Sequence, residues 1–215
     1  MKIGIIGSGD VGRALGTGFA ATGNQVMLGT RDPGKRELKE WMAKTGPRVA
    51  VGTFDEAASF GDLLVIATRW SGTENAIKLA GEKNFAGKIV IDVTNPLAIR
   101  ENGPPALALG FNDSAGEQVQ RWLPKSKVVK AFNTVGNANM FRPTFPGGPP
   151  DMFIAGNDAS AKQDVTRILK DFGWGDVIDL GGIEGARYLE PMCIVWVAFA
   201  RRTGSSNHAF KMLRR

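Results

Sequence analysis

The 215-residue sequence predicts an α/β protein, built as a doubly wound, mostly parallel Rossmann-type sheet with a short C-terminal helical tail. Two observations predict this fold class. Short apolar runs, typical of buried parallel strands, alternate along the chain with helical stretches of about ten residues. The first apolar run, residues 2–6, ends in glycines that lead directly into the first helical stretch.

Eight apolar runs predict the strands of the sheet. In chain order they are residues 2–6, 25–29, 48–52, 62–68, 88–92, 127–132, 152–155 and 176–180. The helical stretches between and after them are residues 10–22, 33–45, 72–80, a stretch that begins near 114, then 159–172 and 184–201. Gly23-Asn24 indicates the C-cap of the first helix, and Pro33 falls in the first turn of the second. Ser114 is expected to cap its helix, with Glu117 closing a capping box.

The remaining segments predict loops and a single domain. The proline- and glycine-rich segment 142–150 is incompatible with a helix or a central strand, so it predicts a surface loop and a candidate lid. The chain also loosens beyond Asn95, around Asn102-Gly103-Pro104-Pro105. Because no linker separates two cores, we expect one domain over residues 1–215, with the sheet in 1–180 and a C-terminal helix in 181–215.

Composition excludes several classes of site. Hydrophobic residues make up 43% and charged residues 22%, the balance of an ordinary globular protein. The lone Cys193 excludes an intrachain disulfide and a multi-cysteine metal site, and the lone His208 excludes a two-histidine metal site. The apolar stretch 192–200 is too short to span a membrane and no targeting segment is evident, so we expect a cytoplasmic protein without membrane insertion.

The net charge of +6 favours an anionic partner. A nucleotide, a nucleic acid and a membrane surface all meet that description. The basic residues are scattered rather than arranged in a stripe, and no nucleic-acid-binding motif occurs, so we expect no nucleic-acid partner.

The segment Gly7-Ser8-Gly9-Asp10-Val11-Gly12 has the pattern G-x-G-x-x-G. It follows a predicted strand and begins a predicted helix, which is the context in which this pattern binds a dinucleotide. Gly7 would allow the tight turn, Gly9 the approach of a pyrophosphate to backbone amides, and Gly12 the close packing of helix and strand. The phosphates would lie at the positive end of the helix.

The end of the second predicted strand distinguishes NADP from NAD. Counting from the glycine motif places Thr30 where an acidic residue usually binds the adenosine ribose, and Arg31 follows it. A hydroxyl beside a guanidinium favours a 2′-phosphate, and Lys35 and Arg36 could add positive charge. If the strand ran two residues longer, Asp32 would take the acidic role and NAD would be preferred.

The ends of the fourth, fifth and sixth predicted strands supply further candidates, because ligands of such sheets lie beyond the carboxyl ends of the strands. These candidates are Thr68, Arg69, Asn95, Pro96, Asn133 and Gly136. No catalytic acid–base pair is evident among Lys130, Tyr188 and His208, and we assign no catalytic residue. Hydride transfer between two preassembled rings needs mainly orientation and exclusion of water, which fits that absence.

Six segments, in this order, resemble the deazaflavin-dependent NADP oxidoreductases, a family that is also similar to the cytoplasmic domain of six-transmembrane ferric reductases. The segments are G-S-G-D-V-G (7–12), G-T-R-D-P (29–33), D-V-T-N-P (92–96), S-A-G-E-Q (114–118), V-V-K-A-F-N-T (128–134) and A-R-Y-L-E (186–190). The resemblance implies direct hydride transfer between NADPH and a flavin-like ring, without an obligatory side-chain acid or base. It also implies a homodimer formed through the C-terminal helices.

The resemblance also implies roles for individual residues. Its pyrophosphate loop corresponds to Ser8, Gly9, Asp10 and Val11, its 2′-phosphate site to Thr30, Arg31 and Lys35, and its ribose and nicotinamide contacts to Arg69, Asn95, Gly136 and Asn137. Archaeal members that use the deazaflavin have a histidine at the position of Asn133. The hydride acceptor therefore stays open between the deazaflavin coenzyme F420, FMN and FAD.

Three hypotheses follow. The first is an NADP(H)-dependent oxidoreductase that transfers hydride to a flavin-like acceptor. The second is an NADP(H)-binding sensor or partner subunit without turnover. The third is a reductase of small carbonyl or imine substrates, although only about 30 residues follow the last predicted strand, too few for a helical substrate domain.

Overall fold

The computed structural model describes residues 1–98 and 103–214, so the predicted loop residue Asn102 lies outside the described residues. The strands are β1 (Lys2–Ile6), β2 (Gln25–Gly29), β3 (Val49–Gly52), β4 (Leu63–Ile66), β5 (Ile89–Asp92), β6 (Leu97–Ala98), β7 (Ala106–Leu107), β8 (Lys127–Lys130), β9 (Met152–Gly156) and β10 (Val177–Asp179). The helices are α1 (Asp10–Ala21), α2 (Arg36–Thr45), α3 (Phe54–Phe60), α4 (Thr73–Ala80), α5 (Ala115–Trp122), α6 (Ala159–Asp171) and α7 (Ala186–Thr203).

One eight-stranded sheet has the order β3-β2-β1-β4-β5-β8-β9-β10. The pairs from β3 to β8 are parallel, whereas β9 runs antiparallel to β8 and parallel to β10. The predicted doubly wound, mostly parallel sheet is therefore confirmed. The strand order reverses between β1 and β4, and a crevice for ligands forms at such a reversal, beyond the carboxyl ends of the strands.

Helices cover both faces of the sheet. On one face the core contains Leu15 and Phe19 of α1 together with Val165 and Leu169 of α6. On the other face Ala57, Ile77 and Val119, from α3, α4 and α5, pack over β4, β5 and β8. Coverage on both faces explains why the strands read as continuous apolar runs rather than as alternating ones.

One local prediction was wrong, and two short elements were not predicted. The second helix begins at Arg36 rather than Pro33, because the Asp32 carboxylate accepts the Gly34 N–H (3.0 Å) and holds Pro33 in a turn. Helix α3 was not predicted, although Thr53 and Glu56 form a capping box at its start. The segment beyond Asn95 contains the short antiparallel pair β6–β7.

Helix α5 begins after Ser114, as predicted, but without the reciprocal bond of a capping box. The Ser114 hydroxyl accepts the Glu117 N–H at 3.2 Å. The Ser114 N–H, however, donates to Asp113 at 2.9 Å, and the Glu117 carboxylate instead binds the Ser114 hydroxyl and the Arg187 guanidinium. The cap therefore also connects α5 to α7.

The predicted C-terminal helix is present as α7, and the chain after it turns back along the domain. The His208 ring stacks on Trp196 with centroids 4.7 Å apart, and the Trp196 indole N–H donates to the His208 carbonyl. Asp151 holds the tail further on, since its N–H donates to Phe210 and its carboxylate accepts the Met212 N–H. Within the part of the chain that the structure describes, no helix is both long and apolar enough to cross a membrane.

Candidate functional site

The turn between β1 and α1 is shaped by two glycines that no other residue could replace without strain. Gly7 has φ +127°, and a Cβ atom there would lie 2.4 Å from the Ala67 carbonyl oxygen. A Cβ atom on Gly12 would lie 2.1 Å from the Gly7 carbonyl oxygen. Gly9 differs, because a Cβ atom there would meet nothing within 4 Å. Gly9 is the N-cap residue of α1, and the structure shows no side chain of the described residues that caps the amides of the first turn.

The carboxyl end of β2 places Thr30 and Arg31 at the crevice. Thr30 follows the last residue of the strand, is buried, and accepts the Asp32 N–H on its hydroxyl at 3.3 Å. Arg31 is exposed, and Lys35 is the N-cap residue of α2. Among the described residues no carboxylate forms an ion pair with Arg31 or Lys35, whereas Arg36 pairs with Glu40. Two cations without an ion-pair partner thus stand at the edge of the crevice.

A cleft of about 840 Å³ lies over the ends of β1, β2 and β4. Of the residues predicted from the sequence, it is lined by Gly7, Ser8, Gly9, Thr30, Arg31, Lys35, Thr68 and Arg69. Asp32 also lines it, three residues beyond the end of β2 and bound through its carboxylate to the Gly34 N–H. None of residues 142–150, the candidate lid, lines the cleft.

Sequence reasoning missed one wall of this cleft. That wall consists of Phe54, Ser71, Gly72, Asn75 and Ala76, around the beginnings of α3 and α4. The start of the helix at residue 72 was predicted to within one residue. Since helices that follow parallel strands begin at the carboxyl edge of the sheet, this boundary was the signal that could have identified the wall.

Asp10 and Val11 occupy the first turn of α1 but do not line the cleft. The Asp10 carboxylate is exposed and bonds to Arg13 at 2.6 Å. Val11 is half-buried and packs against the apolar core. These two residues could therefore contact a phosphate only through their backbone amides and not through their side chains.

The other predicted residues lie beyond the ends of β5 and β8. Two of them, Asn95 and Asn133, bind each other, and we call them the asparagine pair. The Asn95 amide donates to the Asn133 carbonyl at 2.9 Å, and the Asn133 amide donates to the Asn95 side-chain oxygen at 3.0 Å. The Asn133 amide also donates to the Leu189 carbonyl on α7. The Asn133 Oδ1 atom is buried and has no hydrogen-bond partner among the described residues. Because a buried polar atom without a partner is costly, this oxygen indicates a site for a donor from a ligand.

Pro96, Gly136 and Asn137 flank the asparagine pair. Pro96 is buried, and its carbonyl accepts the Ala108 N–H. A Cβ atom on Gly136 would lie 2.9 Å from the Trp196 ring, and Asn137 is exposed. The α7 helix and the returning tail therefore support this loop from behind.

Phe132, directly before Asn133, has a strained backbone with φ +60°. A bulky residue seldom adopts this conformation. Its ring is fully buried against Phe172 and Trp174, which holds the residue in place. Such strain is found at ligand-binding sites, where packing fixes a turn that the backbone alone disfavours.

A fully buried ionic cluster lies behind the asparagine pair. The Lys130 ammonium contacts Asp92 and Glu190 at 2.9 Å each and donates to the Thr94 carbonyl at 2.5 Å. Burial lowers the pKa of Lys130, but the two carboxylates outweigh that effect, so the pKa lies above its usual value. Sequence analysis assigned Lys130 no catalytic role, and the structure encloses its side chain completely.

Among the described residues that line the cleft, Asp32 and Lys35 have ionisable side chains beside the arginines, and there is no tyrosine, histidine, cysteine or glutamate. Tyr188 is exposed on α7, and His208 lies in the tail against Trp196. Burial raises the pKa of the Cys193 thiol to about 11. The arrangement is suited to holding a ligand in a fixed orientation rather than to acid–base chemistry.

Comparisons with known proteins agree with this geometry. Residues 2–96 match the family described as NADP oxidoreductase, coenzyme F420-dependent. The F420-dependent NADP reductase of Methanocaldococcus jannaschii is 32% identical over 199 residues, covering 88% of both chains. The metalloreductase STEAP3 of Rattus norvegicus is 31% identical, but the chain spans only 36% of its length.

A solved structure from Arthrobacter sp. FB24, provisionally described as an F420-dependent NADP reductase, matches over the whole of both chains. The sequence identity is 39% and the TM-score is 0.94. The identity and coverage of the methanogen reductase carry the assignment. This chain is an NADP-dependent oxidoreductase that belongs to the coenzyme F420-dependent NADP oxidoreductase family.

Proposed function

We propose that the protein transfers hydride between NADPH and a flavin-like ring, and that the acceptor is the deazaflavin coenzyme F420, FMN or FAD. The observation that carries this proposal is the combination of a cleft that fits NADP with an apolar groove along α7 that fits a planar ring. Reduction of a carbonyl or imine needs a positioned acid, whereas transfer between two rings needs mainly alignment and a dry site.

The residues around the cleft fit a dinucleotide that carries a 2′-phosphate. Gly9 leaves room for a pyrophosphate at the N-terminus of α1. Arg31 and Lys35 offer two cations that have no ion-pair partner among the described residues. They lie next to the Thr30 hydroxyl, where the adenosine ribose of such folds lies. Asp32 lies too far beyond β2 to take the acidic role that would favour NAD.

The asparagine pair fits the nicotinamide end of the same ligand. The Asn133 Oδ1 atom needs a donor, and a carboxamide N–H supplies one. We assign Gly136 and Asn137 to the same end, and we place Thr68 and Arg69, which line the cleft, between the two ends of the ligand. The bound nicotinamide would supply the hydride, and these residues would orient the ring and exclude water.

An apolar groove next to this end is suited to a planar acceptor. It encloses about 720 Å³ between residues 106–111 and α7, with Phe111, Tyr188, Pro191 and Ile194 in its walls. The Ala108 N–H donates to the Pro96 carbonyl, which joins the groove to the turn that carries Asn95. Apolar walls with few polar groups are typical of sites for ring systems.

We further propose a homodimer through α7. Tyr188, Val195 and Phe199 leave 68%, 59% and 52% of their surfaces exposed along one side of this helix. An apolar stripe of this kind on one helix commonly marks an interface between subunits. The expected cytoplasmic location and the absence of a nucleic-acid partner are also part of the proposal.

The test is anaerobic incubation of the purified protein with NADPH and each of coenzyme F420, FMN, FAD and a quinone. We expect oxidation of NADPH coupled to reduction of at least one flavin-like ring. Tight NADPH binding with no oxidation in any mixture would support a sensor or partner subunit instead. Oxidation only with an imine or ketone, added as a parallel sample, would support the third hypothesis.

A further inference from the structure

The ionic cluster of Lys130, Asp92 and Glu190 is more than a structural ion pair, because its charges do not balance. The three side chains are at most 1% exposed and contribute one cation and two carboxylates. Every hydrogen-bonding position is occupied, since Glu190 also accepts the N–H groups of Ala115 and Gly116 at 3.0 Å each. Counted as one ammonium and two carboxylates, the cluster has a formal net charge of −1.

Neighbouring groups reduce this charge without cancelling it. The two amides at the start of α5 supply part of a positive charge through the helix dipole. The Cys193 thiol, whose pKa burial raises to about 11, is neutral at physiological pH. The Arg187 guanidinium is already paired with Glu117.

The cluster is connected to both residues of the asparagine pair through their neighbours in the chain or their hydrogen-bond partners. Asp92 accepts both the N–H and the hydroxyl of Thr94, and Lys130 holds the Thr94 carbonyl, directly before Asn95. Glu190 follows Leu189, whose carbonyl binds the Asn133 amide. The negative charge therefore lies in low-dielectric surroundings immediately behind the proposed nicotinamide position.

We propose that this cluster makes the site bind oxidised NADP⁺ more tightly than it otherwise would, relative to NADPH. The inference rests on the proposed function for the position of the ring. The oxidised ring is positively charged and the reduced ring is neutral, so a nearby net negative charge favours the oxidised form. Transfer of a hydride from NADPH to the flavin-like acceptor would turn the neutral ring into the positively charged one, and the cluster would stabilise that charge.

The test is Glu190→Gln, with dissociation constants measured by calorimetry for NADP⁺, NADPH and 2′-phospho-ADP-ribose, which has no nicotinamide. The amide oxygen keeps an acceptor for Lys130 and the Gly116 N–H while the charge is removed, and only the hydrogen bond from the Ala115 N–H is lost. We expect NADP⁺ affinity to fall about fivefold or more relative to NADPH affinity, on the order expected for one charge across a partly screened interior. The affinity ratio of NADPH to 2′-phospho-ADP-ribose should stay unchanged.

Asp164→Asn is the matched control, because it removes a carboxylate from the exposed Arg167 pair on α6 and should not change the ratio. If Glu190→Gln does not fold, Asp92→Asn removes the other carboxylate, and its amide oxygen can still accept from Thr94. Equal losses of affinity for NADP⁺ and NADPH would overturn the inference. The cluster would then only position the asparagine pair. Wild-type protein that binds neither form would overturn the proposed function instead.

Discussion

At the residue scale, we propose that cofactor choice rests on the two positions that follow β2. Thr30 follows the end of the strand and Asp32 lies in a turn with Gly34, so a neutral hydroxyl and the Arg31 guanidinium would face the proposed ribose position. A carboxylate at the strand end would repel a 2′-phosphate. A guanidinium binds it through charge-assisted hydrogen bonds.

We expect Arg31→Ala to weaken NADPH binding by about tenfold to a hundredfold, the equivalent of one charge-assisted contact at ~1.5–3 kcal/mol. NADH binding should be nearly unchanged, because NADH lacks the 2′-phosphate. Fluorescence titration of both nucleotides measures the two dissociation constants. Arg36→Ala is the control, since Arg36 pairs with Glu40 and does not line the cleft. Equal losses for NADPH and NADH would show that Arg31 does not contact the 2′-phosphate.

The sequence predicts some site residues better than others, for a physical reason. The position of Thr30 follows from counting along one strand–helix–strand unit, whose geometry is fixed locally. The partners of Lys130 could not be found this way, because Glu190 lies on a helix 60 residues later and its approach depends on packing of α7. One signal was available: Asp92 and Lys130 end adjacent buried strands, and opposite charges there suggest a pair.

At the element scale, we expect different glycines of the β1–α1 turn to contribute to stability and to ligand binding. Gly12 allows helix and strand to approach, whereas the open space at Gly9 would allow a ligand to approach. Sequence analysis predicted both roles. The steric surroundings of Gly12 agree with its packing role, and the binding role of Gly9 stays a prediction.

We expect Gly12→Ala to lower the free energy of unfolding by about 2 kcal/mol or more, because its Cβ atom would overlap the rigid Gly7 carbonyl. Gly9→Ala should change that free energy by less than ~0.5 kcal/mol, yet weaken NADPH binding at least tenfold. Urea unfolding and NADPH titration of both variants measure these effects. A Gly9→Ala protein that binds NADPH normally would contradict the proposed path of the pyrophosphate.

Short elements were the ones that sequence analysis missed. Helix α3 has seven residues, too few for a convincing periodic pattern. The spacing of Thr53 and Glu56 in the sequence could nevertheless have indicated the capping box at its start. The β6–β7 pair has two residues in each strand, and Pro104 and Pro105 lie just before the second. Long, strongly apolar elements were located to within a few residues because burial on both faces dominates their composition.

At the scale of the whole molecule, we propose that the described sheet and α7 form one domain, and that α7 also forms the dimer contact. Helix α7 supports the asparagine pair through Leu189 and lines the apolar groove through Pro191. A dimer through its exposed side would hold this helix in place from the outside. Assembly and acceptor binding would then depend on the same element.

We expect Val195→Asp to convert a dimer into a monomer, because the substitution places a charge in the proposed apolar interface. Sedimentation velocity at micromolar concentration measures the mass in solution. Leu79→Asp is the control, since Leu79 is similarly exposed (52%) but lies on α4. A wild-type protein that sediments as a monomer at every concentration would contradict the dimer proposal.

The most direct test of the central claim follows a labelled hydride. NADPH deuterated at one C4 position, and then at the other, is mixed anaerobically with the protein and oxidised coenzyme F420, a ring that retains the transferred atom on carbon. Mass spectrometry of the reduced acceptor should show deuterium from one of the two labelled positions and not from the other. Bound NADPH that transfers no deuterium to this ring, and reduces neither FMN nor FAD, would contradict hydride transfer as the function of this cleft.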